Sequence, residues 1–221
     1  MPSARLQFSE KYDDEHAKRY HRKHNAGLQR RLSNWMEHRI AAQALALAGA
    51  PARLLDIPCG AGRFWSLLST LPNCDLYASD NSQDMLNLAA AVQDQRIVER
   101  FNRFQSSAFD INMSNGSVDL IFCMRLLHHL GSQQDRKALL DEFHRVTSNS
   151  IIISLWVDGN LKSYRRGLLE RQERNKAYQN RFVIRREQIE KEFTASGFDV
   201  AATFDLLKFV SMWRVYLLRK A

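Results

Sequence analysis

Short apolar runs alternate with amphipathic segments along most of the chain, and this alternation predicts the fold. Seven runs have the length and bounding residues typical of strands. They are residues 53–57, 76–80, 101–107, 118–124, 150–156, 200–206 and 213–219. Helical segments separate the early runs, which predicts an α/β fold whose parallel sheet carries helices on both faces, a three-layer sandwich. No helix separates the last two runs, so we expect an antiparallel pair with the seventh strand inserted beside the sixth.

Helix boundaries follow from apolar spacing and capping residues. Residues 12–24 are predicted to be helical, and a longer helix follows, with apolar residues at steps of three to four, namely Leu32, Met36, Ile40, Ala44 and Leu47. Helical spacing of apolar residues also predicts a helix over residues 63–71, after a turn with two glycines. Another helix over residues 133–146 begins after Ser132, with Asp135 three residues later as in a capping box. The last helix is predicted over residues 185–196.

The 221 residues contain no internal repeat or low-complexity tract and are expected to form a single domain. Within it we expect four parts. They are an N-terminal helical cover (residues 1–50), a core (51–160), a lid-like insertion (161–181) and a C-terminal helix with the strand pair (182–221).

The most informative segment is LLDIPCGAG at residues 54–62, where an apolar run ends in an acid and enters a turn with two glycines. Gly60 and Gly62 let the backbone pass close to a ligand where a Cβ would collide. A second acid, Asp80, ends the next predicted strand. The interval of about twenty residues is that at which a carboxylate meets the ribose hydroxyls of a bound adenosine.

Two classes of cofactor use such a turn, and the residues around it distinguish them. A dinucleotide-binding loop needs a third glycine three residues after Gly62, where this chain has Trp65. Such a loop also leaves helix N–H groups for a pyrophosphate, whereas Asp56, just before the turn, suits a cationic group. S-adenosylmethionine has an ammonium, a sulfonium and a ribose but no phosphate, so it fits this turn better than NAD does.

These segments resemble the class I S-adenosylmethionine-dependent methyltransferases, especially the small-molecule branch known as type 11. The resemblance runs from about Tyr12 to the C-terminus and is carried by LLDIPCGAGRF, LYASDNSQDML, SVDLIFCMRLLHHL and the tail FTASGF. It implies a Rossmann-like seven-stranded sheet, mostly parallel with an antiparallel last strand. It also implies an enzyme that binds S-adenosyl-L-methionine, transfers the methyl group by in-line displacement and releases S-adenosyl-L-homocysteine.

The resemblance implies a role for each part of the cofactor pocket. Asp56, Gly60 and Gly62 would hold the amino acid portion, with Pro58 where the family usually has glycine, and Asp80 would hold the ribose. The other cofactor-binding residues would be Asn81 and Met85 beside the adenine, Ser107, Ala108 and Phe109 closing over it, and Met124 and Arg125 under the methionine chain. Many members have an acid at the position of Ser107, and in this chain Asp110 is the candidate to take the role of that acid.

Catalytic candidates lie after the fourth strand and in the cover. A hydroxyl or amine acceptor needs a base, and His128 is the first candidate because its unperturbed pKa is near neutral. Tyr20 is the second, since related enzymes place a tyrosine from the N-terminal segment over the cofactor. Arg125 and His128 stand where some similar enzymes place acids around a histidine, so no metal is expected.

Charge adds a prediction about the acceptor. The formal net charge is +8, and residues 161–221 carry fourteen Lys or Arg against seven acids, whereas residues 41–160 carry nine against twelve. A basic rim concentrates anionic substrates, so a small anionic or amphipathic acceptor ranks first. An RNA methyltransferase ranks second. Contact with an anionic membrane surface, a merely solvated basic face and a non-catalytic S-adenosylmethionine-binding protein are the remaining hypotheses.

The composition also predicts the cellular compartment. No apolar run approaches the roughly 20 residues that span a bilayer, and the N-terminus lacks the apolar core of a signal peptide. Cys59, Cys74 and Cys123 are odd in number and lie in or beside predicted strands, so no disulfide framework is expected. The sequence therefore predicts a cytoplasmic protein, while no motif specifies the methylated atom or an oligomeric state.

Overall fold

A seven-stranded sheet with helices on both faces makes up the computed structural model, which describes residues 28–172 and 181–221. The strands are β1 (Arg53–Asp56), β2 (Asp75–Asp80), β3 (Phe101–Gln105), β4 (Val118–Cys123), β5 (Thr147–Trp156), β6 (Phe198–Asp205) and β7 (Trp213–Lys220). The helices are α1 (Leu28–Ala48), α2 (Trp65–Leu68), α3 (Gln83–Val92), α4 (Gln95–Val98), α5 (Gln133–Val146), α6 (Leu161–Gln172) and α7 (Arg186–Ala195), with a 3₁₀ turn at Leu127–His129.

The strand order across the sheet is β3-β2-β1-β4-β5-β7-β6. Strands β1 to β5 are parallel, and β7 pairs antiparallel with both β5 and β6. The predicted sheet, mostly parallel with an inserted antiparallel last strand, is confirmed. The chain changes direction across the sheet between β1 and β4, and a crevice at the carboxyl ends of these strands is where such sheets bind ligands.

Two apolar cores cover the faces of the sheet. On one face, Leu139, Phe143 and Phe193 from α5 and α7 pack against strand residues such as Ile121 and Ile153. On the other face, residues of α1, α2 and α3 pack against the alternate strand positions, because successive strand residues point to opposite faces. The predicted three-layer sandwich is confirmed.

Helix α1 is rotated relative to its predicted apolar stripe. Ile40 and Ala44 are buried as expected, but Leu32 and Leu47 are 58% and 55% exposed. Glu37 faces inward instead and is buried, because its carboxylate pairs with two arginines at the carboxyl edge of the sheet. Ala41 and Leu45 are buried beside Ile40 and Ala44, so the apolar stripe that faces the sheet is shifted from the predicted one, and Glu37 lies on the same side of the helix.

Several element boundaries differ from those predicted. The helix expected after the glycine turn is only four residues long (α2), and turns flank it on both sides. Strand β3 ends at Gln105, which places Ser107 in the following loop. The predicted cap of α5 is confirmed, since the Ser132 hydroxyl accepts a hydrogen bond from the Asp135 N–H at 3.0 Å. Residues 12–24 and part of the insertion, residues 173–180, lie outside the described residues.

The three cysteines are free thiols buried in the fold, so Cys59, Cys74 and Cys123 form no disulfide. Among the helices in the described ranges, none combines the length and the hydrophobicity that crossing a membrane requires.

Candidate active site

Two glycines with left-handed backbone build the turn after β1. The φ angles of Gly60 and Gly62 are +54° and +70°, values that side-chain-bearing residues rarely adopt. The Cys59 N–H donates to the Ser79 carbonyl at 2.9 Å, and the Gly62 N–H donates to the Cys59 carbonyl at 3.1 Å. The turn is therefore fixed to β2 on one side and closed on itself on the other.

Trp65 supports this turn from below. A Cβ on Gly62 would lie 2.8 Å from Cδ2 of the indole, closer than real Cβ atoms approach. The indole stacks on Phe101 with ring centroids 4.6 Å apart, and its Nε1–H donates to the Asp56 carboxylate at 3.2 Å. In the sequence Trp65 argued only against a dinucleotide. In the structure it fills the space beneath Gly62 and orients Asp56.

Asp80 joins the turns that follow β1 and β2. Its Oδ2 accepts from the Gly60 N–H at 2.9 Å and its Oδ1 accepts from the Ser82 N–H at 3.0 Å. Burial raises the pKa of Asp80, and these N–H groups partly offset the rise. Burial raises the pKa of Asp56 even further, and the nearby Asp80 carboxylate adds to that effect. Two buried carboxyls at one edge favour a ligand that carries positive charge.

Asn81 and Met85 follow Asp80 at the start of α3. Met85 is buried, and its Cε would lie 3.7 Å from a Cβ on Gly60, so its side chain reaches the glycine turn. Asn81 is exposed, and its carbonyl accepts from Nε2 of Gln105 at 2.8 Å. The structure thus brings Met85 next to the turn and leaves the Asn81 side chain at the rim.

The loop after β3 runs beside the end of β2. The Ser106 N–H donates to the Asp80 carbonyl at 3.1 Å, and the Ser107 hydroxyl accepts from the Phe109 N–H at 3.2 Å. Ala108 is buried in the core. Asp110 is exposed and forms a short antiparallel bridge with Ser107.

Glu37 is a buried acid of the site that sequence reasoning missed. Its Oε2 lies 2.9 Å from Nη2 of Arg63, and its two oxygens accept from Nε and Nη2 of Arg125 at 3.1 and 2.5 Å. The carboxylate therefore ties α1 to the turns after β1 and β4. One signal was present in the sequence, because Glu37 is the single acid in α1 and two arginines follow strands that end at the same edge.

Arg125 and Met124 occupy the turn after β4. Arg125 has a φ of +66°, and its N–H donates to the Ser154 hydroxyl at 2.8 Å. Its guanidinium carbon lies 5.2 Å from the ring centroid of Trp213. Met124 is buried in the core on the face covered by α1. The backbone at this turn lies at the carboxyl edge as predicted, while the Arg125 side chain is held by Glu37.

His128, His129, Trp156 and Trp213 form an aromatic cluster at the ends of β4, β5 and β7. The His128 ring stacks on Trp156 with centroids 4.9 Å apart and contacts His129 at 4.2 Å. Trp213 meets His128 edge-on at 4.9 Å. The cluster lies beside the Arg125 turn, so it borders the side of the crevice away from Asp80.

Three arginines surround the aromatic cluster. The guanidinium carbons of Arg166 and Arg181 lie 5.0 and 5.7 Å from the Trp156 ring centroid, and Arg125 lies over Trp213. Cations over aromatic faces are attracted by the ring quadrupole. Arg166 belongs to α6, so the inserted segment contributes to this wall of the crevice.

The pKa of His128 does not support its predicted role as a general base. Burial is the main cause that lowers this pKa to about 2, and the neighbouring His129 and arginines act in the same direction. An imidazole with so low a pKa is neutral near pH 7 and accepts a proton poorly. Within the described part of the chain, the buried Nδ1 of His128 and Nε1 of Trp156 have no hydrogen-bond partner.

Tyr20, the second candidate base, lies outside the described residues. Among residues 28–172 and 181–221, no group of three or more His, Cys, Asp or Glu side chains is placed to hold a metal ion. The described site therefore consists of a glycine turn with two acids, a neighbouring aromatic cluster with three arginines, and Glu37, which joins the two.

This arrangement of turn and acids has a match among known families. Residues 54–150 match the family model of the methyltransferase domain. This part of the chain is therefore similar to a methyltransferase domain. The resemblance to class I S-adenosylmethionine-dependent methyltransferases is confirmed, and it extends from the motifs to the strand order of the sheet.

Several solved methyltransferase structures share the fold of this chain. Magnesium protoporphyrin IX methyltransferase of Synechocystis PCC 6803, solved with bound SAH, has a TM-score of 0.71 at 15% identity, covering 94% of this chain and 95% of that chain. The same enzyme was solved with bound SAM. A SAM-dependent methyltransferase of Aquifex aeolicus has a TM-score of 0.63 at 19% identity, covering 95% of this chain and 98% of that chain.

One relative is similar in sequence. An uncharacterized protein of Synechococcus sp. is 33% identical over 103 residues, which are 44% of this chain. The match spans only 25% of that protein's length.

The two glycines of the turn should differ in their tolerance of a side chain. Gly62→Ala adds the contact with Trp65 to a left-handed backbone, and we expect it to lower the free energy of unfolding by about 3 kcal/mol. Among the described residues, Gly60→Ala meets only Met85 at 3.7 Å, so we expect a loss of about 1 kcal/mol from the backbone alone. Urea unfolding of both variants tests this, and equal losses would show that Trp65 does not limit the turn.

His128 should make the methyltransferase domain less stable in acid. Its pKa is lowered from about 6.5 in the unfolded chain to about 2. The unfolded state therefore binds more protons than the native state between these values, and stability falls as pH decreases below about 6.5, by up to about 1.4 kcal/mol per pH unit.

The measurement compares urea unfolding of the wild type and His128→Gln at about pH 7.5 and about pH 5.5. Asp56 and Asp80 contribute in the opposite direction, because their raised pKa values favour the folded state as pH falls. Both proteins share these acids, so the difference between them isolates His128. We expect the wild type to lose more stability on acidification than the variant, and parallel losses would contradict the assignment.

Proposed function

We propose that the protein transfers a methyl group from S-adenosyl-L-methionine to a small anionic or amphipathic acceptor. The methyltransferase domain and the acids at the glycine turn support the reaction class. The aromatic cluster with its three arginines is the observation that carries the acceptor class.

The glycine turn and its two acids suit the chemistry of the cofactor. Bound S-adenosyl-L-methionine supplies an electrophilic methyl group on a sulfonium ion. Asp80 is oriented by two N–H groups and keeps lone pairs that can accept from ribose hydroxyls. Asp56, with Gly60 and Gly62, would hold the amino acid portion. A cation bound beside these carboxyls favours their ionised forms and so counteracts the effect of burial on their pKa values.

The remaining assignments follow the family pattern. Pro58 shapes the turn without donating a hydrogen bond. The other proposed contacts are Asn81 and Met85 with the adenine, Ser107, Ala108 and Phe109 over it, and Met124 and Arg125 beneath the methionine chain. Support comes from the loop after β3, which is hydrogen-bonded to the end of β2 and so lies beside Asp80.

The acceptor side combines flat apolar surfaces with positive charge. Trp213 is half-buried and Trp156 is buried where the paired strands β5 and β7 meet this edge, and guanidinium groups lie within 6 Å of both rings. Aromatic faces bind apolar or planar groups, and a cluster of cations raises the local concentration of anions. A ligand with an apolar body and an acidic group matches both features.

In this proposal His128 positions the acceptor and does not remove a proton. Its low pKa makes the imidazole a weak base, but a neutral imidazole still donates or accepts hydrogen bonds. An acceptor that arrives as an anion needs no general base, and the nearby guanidinium groups favour the ionised form of an acidic acceptor. The rate then depends on holding the acceptor atom in a near-attack position.

Incubation of the protein with labelled S-adenosyl-L-methionine and a cell extract tests the proposal. We expect label in the lipid-soluble or anionic small-molecule fraction. With the purified acceptor, Arg166→Gln should raise KM about tenfold, because it removes a guanidinium that would bind the acidic group of the acceptor, and a hydrogen bond to a charged group contributes about 1.5 kcal/mol or more. Arg165→Gln is the matched control, since this residue is the exposed neighbour of Arg166 on the same helix, and KM should not change.

Three results would overturn parts of this proposal. Label recovered in RNA, together with RNA binding that weakens steeply as salt rises, would show that the acceptor is RNA. A folded protein that binds the cofactor and labels nothing would be a non-catalytic binding protein. Equal changes of KM in Arg166→Gln and Arg165→Gln would show that the acceptor does not bind at the aromatic cluster.

A further inference from the structure

A surface beside the aromatic cluster exposes large apolar side chains. It is formed by the first two turns of α6 and the loop between β6 and β7, and its apolar residues are between 40% and 73% exposed. We call it the docking face. Its apolar members are Leu161, Tyr164, Leu168, Leu207, Phe209 and Val210.

Backbone hydrogen bonds make the docking face one continuous surface. The Leu161 N–H donates to the Phe209 carbonyl at 3.0 Å, and the Lys162 N–H donates to the Val210 carbonyl at 3.1 Å. The first N–H groups of α6 are thereby satisfied by the loop. The helix and the loop tip are held side by side, so their apolar side chains form one patch.

The helix contributes a stripe with basic flanks. Leu161, Tyr164 and Leu168 are spaced by three and four residues and so share one side of α6. Lys162 and Arg165 lie along the flank of that stripe. All five residues are exposed.

The loop contributes an aromatic tip. Phe209 is 73% exposed and has a φ of +62°, and the Val210 and Ser211 N–H groups donate to the Leu207 carbonyl at 3.1 and 2.9 Å. The Nζ of Lys208 lies 5.3 Å from the Phe209 ring centroid. A fixed turn therefore presents an aromatic ring with a cation beside it.

The docking face carries charge of one sign. Residues 159–168 and 206–213 contain four Lys or Arg and no Asp or Glu. A second copy of the chain is a poor occupant, because a two-fold contact would bring these cations together. RNA would match the cations, but it offers nothing to the aliphatic side chains of Leu161, Leu168 and Val210.

We propose that the docking face binds the surface of an anionic lipid bilayer. Apolar and aromatic side chains that enter the headgroup region, with Lys and Arg beside them, are the features of interfacial binding. Each cation near an anionic leaflet strengthens the attraction, which salt weakens. The face binds at the bilayer surface without spanning it.

The docking face lies next to the acceptor side of the candidate active site. Arg166 is on the same helix and its guanidinium lies over Trp156. Bilayer contact would therefore place the crevice at the membrane surface, where an amphipathic acceptor is concentrated. This last step rests on the proposed function, whereas the binding itself does not.

Vesicle co-sedimentation of the full chain without cofactor tests the binding. Vesicles of equal parts phosphatidylglycerol and phosphatidylcholine are compared with pure phosphatidylcholine at low and physiological salt. We expect binding to the anionic vesicles that decreases with salt, and little binding to the neutral ones. Lys208→Gln should lower the partition coefficient about fivefold, the effect of one cation at an anionic surface.

Phe209→Asn is the decisive variant. Asparagine suits the left-handed backbone better than phenylalanine does, so the melting temperature should stay the same or rise while partitioning falls about tenfold. The control is Leu47→Asn, which removes a side chain that is 55% exposed at the end of α1, and partitioning should not change.

Several outcomes would overturn the proposal. They are equal binding to neutral and anionic vesicles, an equal loss in Phe209→Asn and Leu47→Asn, or no vesicle binding by the folded wild type. Tight binding to total RNA that Phe209→Asn leaves unchanged would assign the face to RNA, and a concentration-dependent dimer disrupted by Phe209→Asn would assign it to a second copy. Because no cofactor is present, each result is independent of methyl transfer.

Discussion

The carboxylate of Asp80 is the constraint on which the candidate active site depends. It accepts the N–H of Gly60 from the turn after β1 and the N–H of Ser82 from the turn after β2. The two turns are therefore held at one spacing by a single side chain. The left-handed Gly60 makes its N–H available in this direction. The acid thus shapes this edge of the sheet by itself, so a change at Asp80 alters the turn.

A second carboxylate, Glu37, joins separate elements on the other side of the crevice. It pairs with Arg63 from the turn after β1 and with Arg125 from the turn after β4. Removing Glu37 would take away the negative charge that lies beside two partly buried guanidinium groups, and this would lower the stability of the fold. Helix α1 is accordingly part of the site and not only a cover. The Arg125 side chain, held in this way, marks the border between the cofactor turn and the aromatic cluster.

The sequence predicted those features that depend on local pattern. The strands, the antiparallel last pair, the glycine turn and the capped start of α5 each have a signal within a few residues. Features that depend on long-range pairing were missed. The stripe predicted for α1 includes Leu32 and Leu47, which are exposed, whereas Ala41 and Leu45 are buried on the side of the helix that carries Glu37. The ion pairs of Glu37 join that side to the turns after β1 and β4.

The pKa of the candidate base depends on long-range neighbours in the same way. A histidine in a sequence has a pKa near neutral, but His128 is enclosed by Trp156, Trp213 and nearby cations, and burial lowers its pKa to about 2. Trp65 shows the converse, since a residue that argued only against a dinucleotide proves to support the turn. In both cases the neighbours come from distant parts of the chain, and no local pattern encodes them.

The central claim is that the turn held by Asp80 binds the nucleoside and amino acid portions of S-adenosyl-L-methionine. Isothermal titration calorimetry with S-adenosyl-L-homocysteine, the product, tests it most directly because no acceptor is needed. The account predicts saturable binding of S-adenosyl-L-homocysteine at a single site and no binding of NAD. It also predicts that Asp80→Asn lowers the affinity for S-adenosyl-L-homocysteine about tenfold or more, since a charge-assisted hydrogen bond contributes about 1.5–3 kcal/mol. No binding by the folded wild type, or binding of NAD in preference to S-adenosyl-L-homocysteine, would contradict it.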